Sequence, residues 1–137
     1  NKPNTAREGA ILSTVPPGTG ILHVGPDDSV IAGNLVEDND FIGIAVADYC
    51  LVVQGGPFAC DVDPTVTPGF VAANEATDNR VLDNVLHHNG TKVDPSEPFA
   101  FAAGDLALLT GGDHGNCYAG NAFTTSFSTL GFLPACR

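Results

Sequence analysis

Ser29-Val30-Ile31-Ala32-Gly33-Asn34-Leu35-Val36 has two echoes further along the chain. They are Asn79-Arg80-Val81-Leu82-Asp83-Asn84-Val85-Leu86 and Asn116-Cys117-Tyr118-Ala119-Gly120-Asn121-Ala122-Phe123. Asn34, Asn84 and Asn121 hold one position in all three copies. Ile31, Val81 and Tyr118 match before it, and Val36, Leu86 and Phe123 after it. Short apolar runs that recur around a polar corner mark a solenoid, in which each unit buries its apolar face against its neighbours. Asn tolerates the left-handed backbone of a tight corner better than most residues, and stacked amides from successive units can bond along the axis. Gly33 and Gly120 suit the same bend. Asn34, Asn84 and Asn121 are therefore read as structural corners, not as a site.

Working outward, Ile21–Val24, Phe41–Val46 and Leu106–Leu109 read as short strands between Gly-, Pro- and Asp-rich turns, and no helical period appears. Residues 1–17 are an entry segment, 47–77 and 91–104 are inserted loops, and 124–137 form a C-terminal cap. The copies of the corner lie 50 and 37 residues apart (34 to 84, 84 to 121). Both intervals exceed the roughly 20 residues or so of one plain turn, and the two loops account for the excess. The expected fold is all-β: a single domain forming a parallel β-helix, or β-solenoid, of about three to four rungs.

A chain of 137 residues is one domain by length. Its 16 acidic residues against 5 basic give a net charge of −11. Phosphate contacts require clustered Lys and Arg, so nucleic-acid binding is excluded, as is attraction to an anionic membrane surface. No apolar run approaches the ~20 residues needed to span a bilayer, so no membrane insertion is expected. With no Met, the chain reads as a mature, processed or excised product, expected to be secreted, extracellular or at the cell surface on the strength of its cysteines. Cys50, Cys60, Cys117 and Cys136 contain no CxxC pair, which disfavours zinc and favours two disulfides in an oxidising compartment. Three connectivities exist; Cys50–Cys60 with Cys117–Cys136 is favoured because each pair closes a short local loop.

Candidate chemistry is sparse. The carboxylate pairs Asp27/Asp28, Asp38/Asp40, Asp61/Asp63 and Asp94/Glu97 are potential acid–base or calcium-ligating groups, and Asp61 and Asp63, on the cysteine-flanked loop, are the most site-like. Acidic residues at turns are more commonly solvated corners. His87 and His88 are adjacent and, in a strand, face opposite sides; either can meet His114 across a rung. His23, between Leu22 and Val24, is expected to face outward. Asn89-Gly90-Thr91 fits a glycosylation acceptor.

The runs Gly33–Val46 (Gly-Asn-x-x-x-x-Asn-Asp-Phe-x-Gly-Ile-Ala-Val) and Gly115–Phe123 (Gly-Asn-Cys-Tyr-x-Gly-Asn-x-Phe) resemble secreted bacterial right-handed parallel β-helix repeat proteins of the pectate-lyase-like superfamily. The resemblance covers roughly residues 18–136, matches C-terminal rungs, and implies fold more than function. Lyases of that fold use a Lys or Arg base, often beside calcium. Here only Arg80 lies in a repeat, while Lys92 is on a loop and Lys2, Arg7 and Arg137 are terminal. The expected function is an extracellular structural or binding module that self-assembles through its ends, with no cofactor beyond an optional calcium ion. The alternative is a carbohydrate-active module (a polysaccharide lyase, hydrolase or epimerase fragment) with a polysaccharide as partner.

Overall fold

The computed structural model describes residues 15–49, 51 and 75–137. Among them nine strands run in order: β1 (Thr19–Val24), β2 (Val30–Ala32), β3 (Leu35–Glu37), β4 (Ile42–Ala47), β5 (Arg80–Leu82), β6 (Val85–His87), β7 (Gly104–Leu109), β8 (Cys117–Ala119) and β9 (Ser126–Ser128). The 3₁₀ turn Ala100–Ala102 adds a trace of helix. The protein is all-β, and its strand pairings are parallel. They build a first sheet β1-β4-β7-β9, a second β2-β5-β8 and a third β3-β6. The chain visits the three sheets in turn, laying each new strand beside the one from the previous visit. Isolated bridges extend the series, Ala122 to Val85 on the third sheet and Ala135 to Tyr118 on the second.

The side-chain alternation follows from this path. β2, β3 and β6 each expose, bury and expose in turn, as period-2 strands with one wet face must. Each buried residue stands two places after a corner: Ile31, Val36, Val81, Leu86 and Tyr118. Register stacks Ile31 on Val81 on Tyr118, and Val36 on Leu86. These meet Ile44, Val46, Leu106 and Leu108 of the first sheet in one core.

β4 and β7 are buried along their whole length, so they read as unbroken apolar runs. Their outward face carries the small Ala45, Ala47 and Ala107, covered by Leu51, Val93, Phe99 and Phe127. Segment 91–104, expected as an inserted loop, therefore has a packing role: its Val93 and Phe99 shield the back of the first sheet.

The tail closes the other end of the core. Leu130 and Leu133 pack on it, the Tyr118 N–H donates to Pro134 O, and the Cys136 N–H donates to Tyr118 O. The Cys117–Cys136 disulfide locks this arrangement at a sequence separation of 19, in agreement with the favoured pairing. Cys50 and Cys60 lie outside the described residues. On the chain-entropy account a loop of this length contributes about 3 kcal/mol. Reduction of the native protein is expected to lower the melting temperature by roughly 10 °C, measurable by circular dichroism with and without a phosphine reductant.

Corners need a left-handed residue, and the sequence supplies one before each corner amide. Asp28, Asp38, Asp78, Asp83 and His88 adopt φ between 50 and 55°, and Gly33 and Gly120 both lie at 66°. The two glycines differ in their surroundings. A Cβ on Gly33 meets nothing within 4 Å, whereas one on Gly120 would sit 2.0 Å from Asp83 Oδ1. Gly33→Ala is expected to cost about 1 kcal/mol, the strain of the conformation alone. Gly120→Ala should cost about twice that or more, since it adds displacement of the Asp83 carboxylate. Equal losses by urea denaturation would contradict this packing.

Candidate functional site

The polar side chains of the corners form three lines parallel to the stacking direction. In the middle line, Asn84 Oδ1 accepts from the Asn34 N–H (3.0 Å) and from Asn34 Nδ2 (2.9 Å). Asn121 Oδ1 accepts in the same way from the Asn84 N–H and Nδ2. Asn84 Nδ2 donates again, to Ile31 O at 3.0 Å, and Asn121 Nδ2 donates to Val81 O at 2.8 Å. Asn34, Asn84 and Asn121 thus stand together at one corner.

Two further lines flank it. Ser29, Asn79 and Asn116 form the first: Asn79 Oδ1 accepts the Ser29 N–H, and Asn116 Oδ1 accepts the Asn79 N–H and Nδ2. Asn39, Asn89 and Asp105 form the third, with Asn89 Oδ1 accepting from Asn39 and Asp105 Oδ1 accepting from Asn89. The signal for both lines is a spacing of five residues, Ser29/Asn34/Asn39 and then Asn79/Asn84/Asn89.

Asp105 ends its line by accepting from both sides. Oδ1 takes the Asn89 N–H and Nδ2, and Oδ2 takes the Thr124 and Thr125 N–H groups at 2.9 and 3.2 Å. An amide offers only one acceptor atom, so a carboxylate suits this position. Burial alone would raise its pKa; the hydrogen bonds from Thr124, Asn89 and Thr125 outweigh that and hold it below the ordinary carboxylate value.

Asn89 is corrected from its sequence reading. Its residue is only 4% exposed, and Nδ2, the atom a glycan would need, donates to Val36 O and Asp105 Oδ1. The folded chain does not present it. His23 is a second correction: it pairs in register with Val46, and its Nδ1 is buried without a hydrogen-bond partner. β1 turns this position inward because Ile21, two residues earlier, packs on the core.

The carboxylate pairs resolve as turn chemistry. Asp28 and Asp38 are left-handed corner residues, Asp27 accepts the Thr77 hydroxyl, and Asp94 accepts the Ser96 N–H and hydroxyl, which lower its pKa. Asp61 and Asp63 lie outside the described residues. Arg80 and Lys92 are exposed.

One cluster of titratable groups converges where the sequence did not place it. His114 Nε2 lies 3.9 Å from Asp48 Oδ2, and His114 Nδ1 lies 3.8 Å from Glu75 Oε2. His87 and His88 stay apart from it; their rings pair with each other, and His88 faces Asp38. Asp48, 7% exposed, accepts the Ala76 N–H on Oδ1 (2.8 Å) and the Gly111 N–H on Oδ2 (2.7 Å). The carboxylate thereby ties the start of the long excursion to its return and to the turn after β7. A half-buried imidazole between two carboxylates is a potential proton carrier and equally an ion-pair hub. The sequence signal was faint: Asp48 follows an apolar strand, and its partner Glu75 is 27 positions away (48 to 75).

Set against family models, curated proteins and solved structures, the chain matches none. Among the described residues no group of three or more His, Cys, Asp or Glu is placed to hold a metal ion, and no helix is long and apolar enough to cross a membrane.

Proposed function

We propose that the chain is a right-handed parallel β-helix of about three to four rungs that serves, outside the cell, as a structural or binding module. One observation carries this reading: the corner amides, the most repeated polar groups of the sequence, are engaged in side-chain lines running between successive circuits. Such lines give the molecule a fixed long axis and sheets of set spacing, which is what a scaffold needs. The disulfide suits an oxidising compartment, and the resemblance to secreted β-helix repeat proteins points the same way. A panel of acidic and neutral polysaccharides tests the module. Binding, or none, with no new reducing ends and no unsaturated products is the expected outcome; turnover of any member would overturn it. A melting temperature unchanged by chelator is expected as well, and a fall would return calcium to Asp61 and Asp63.

The second reading, a carbohydrate-active module, is favoured by the Asp48–His114–Glu75 cluster alone. It requires turnover that His114→Ala abolishes while the fold persists.

A further inference from the structure

We propose that Asn89-Gly90 is a deamidation site that the folded stack holds shut, and that its modification makes unfolding irreversible. The pair is the one Asn-Gly dipeptide of the chain. Asn is a thermolabile residue, and glycine puts no side chain in the way when its backbone nitrogen turns on the preceding amide. In the reaction the Gly90 nitrogen loses its proton and bonds to Asn89 Cγ, the Cγ–Nδ2 bond breaks, and ammonia leaves. Water then opens the cyclic imide at either carbonyl, which leaves aspartate or isoaspartate at position 89.

The fold both requires this pair and restrains it. Gly90 is left-handed at φ 76°, and a Cβ there would strike the backbone of Ala103 and Gly104, so no other residue fits. Asn89 is needed because its amide joins Asn39 to Asp105. In the native chain the nucleophile is engaged: the Gly90 N–H donates to Asn39 O at 2.9 Å. The leaving group is engaged as well, with Nδ2 donating to Val36 O at 2.9 Å and to Asp105 Oδ1 at 2.8 Å. Asn89 is buried, away from the water that must take the proton and open the ring. Unfolding releases all of these restraints together. The product does not fit the place the amide left. Aspartate at position 89 sets a carboxylate oxygen, where Nδ2 stood, against two acceptors, Val36 O and the Asp105 carboxylate. Two donors are lost from a buried site, and like charges meet there. Isoaspartate also lengthens the backbone by one methylene at the corner that leads out of β6.

Peptide mapping by mass spectrometry, on the oxidised full chain held in mildly alkaline buffer with and without urea, tests this. Conversion of Asn89 to the acid is expected in urea. In native buffer the rate should fall about a thousandfold or more, to the unfolded fraction of a stable domain. Chains returned from urea after brief exposure are expected to regain the native circular dichroism. With longer exposure that ability should be lost in step with conversion of Asn89, as a modified unfolded state leaves the folding equilibrium. Asn89→Asp, the product made directly, should fail to reach the native spectrum or melt at least about 10 °C lower. Equal rates of conversion in native and unfolded chains would overturn the proposal. Refolding lost without conversion of Asn89, or an Asn89→Asp variant as stable as the parent chain, would overturn it equally.

Discussion

Replacing Asn84 with Leu is expected to cost about 3 kcal/mol of folding stability, although the two side chains have similar shape. Asn84 is fully buried, and its amide serves both neighbours at once. Leu removes the acceptor of the Asn34 N–H and Nδ2 and the donor to Ile31 O and Asn121 Oδ1. Asn34 Nδ2 keeps Ala32 O, and Asn121 Oδ1 keeps the Asn84 N–H. The Asn34 N–H is left without a partner, at a desolvation cost of roughly 1–3 kcal/mol, while Ile31 O keeps the Leu82 N–H of the β2–β5 ladder. Asn34→Ala, at the end of the line, removes one donor and strands nothing, so about 1 kcal/mol is expected. Urea denaturation of both variants reads the gradient along the line. Equal small losses would mean that the amides are surface ornaments.

The second large effect is at Asp105. Asp105→Ala removes the acceptor for four donors, those of the Asn89 N–H, Asn89 Nδ2, and the Thr124 and Thr125 N–H groups. Asn89 Nδ2 retains Val36 O, Thr124 and Thr125 are exposed and their N–H groups can turn to water, and the N–H of the buried Asn89 is left without a partner, so about 3 kcal/mol is expected. Asp105→Asn restores one acceptor atom and should cost roughly half as much. The pH dependence has a definite sign. The folded-state pKa lies below the ordinary value, so on acidification the unfolded chain takes up the proton first. The stabilisation from Asp105 is fully present above the unfolded value of about 4 and is lost as pH falls through the folded one. The deficit of Asp105→Asn should therefore be largest near neutrality and shrink below about pH 4. A deficit that does not change with pH would show that the carboxylate's charge plays no part.

The all-β class was legible because apolar runs of four to six residues alternate with turn residues, and because the middle corner line repeats in register. Asn34, Asn84 and Asn121 do stand together, and Cys117 does meet Cys136. The flanking lines were harder to see. The first begins with Ser29 instead of Asn. The third ends with Asp105, which lies in a strand sixteen residues after Asn89 and supplies its side chain from inside the sheet. Gly20 and Gly43 show why: they precede Asp105 at the same level of the first sheet, and a Cβ on either would strike the amide of Asn39 or Asn89 at 2.9 Å. Only after the last corner amide is there room for a side chain there.

His23 was misplaced because a polar residue in a short strand reads as outward-facing, and nothing local distinguishes an edge strand whose inward face meets the core. Asn89 was misread for a related reason. The glycosylation triplet describes three adjacent residues, whereas the use of its amide is set by Val36, 53 positions away, and by Asp105. The Asp48–His114–Glu75 convergence depends on two long returns of the chain, which residue spacing does not encode.

The most direct test of the stacked architecture is a nuclear Overhauser survey of the native protein with its cysteines oxidised. Contacts are expected to run along the axis in one order, Ile31 to Val81 to Tyr118 and Asn34 to Asn84 to Asn121, with the parallel pattern Ile21–Ile44–Leu106–Ser126 beside them. Antiparallel cross-peaks, or corner amides of Asn34 and Asn84 with no contact to each other, would contradict it.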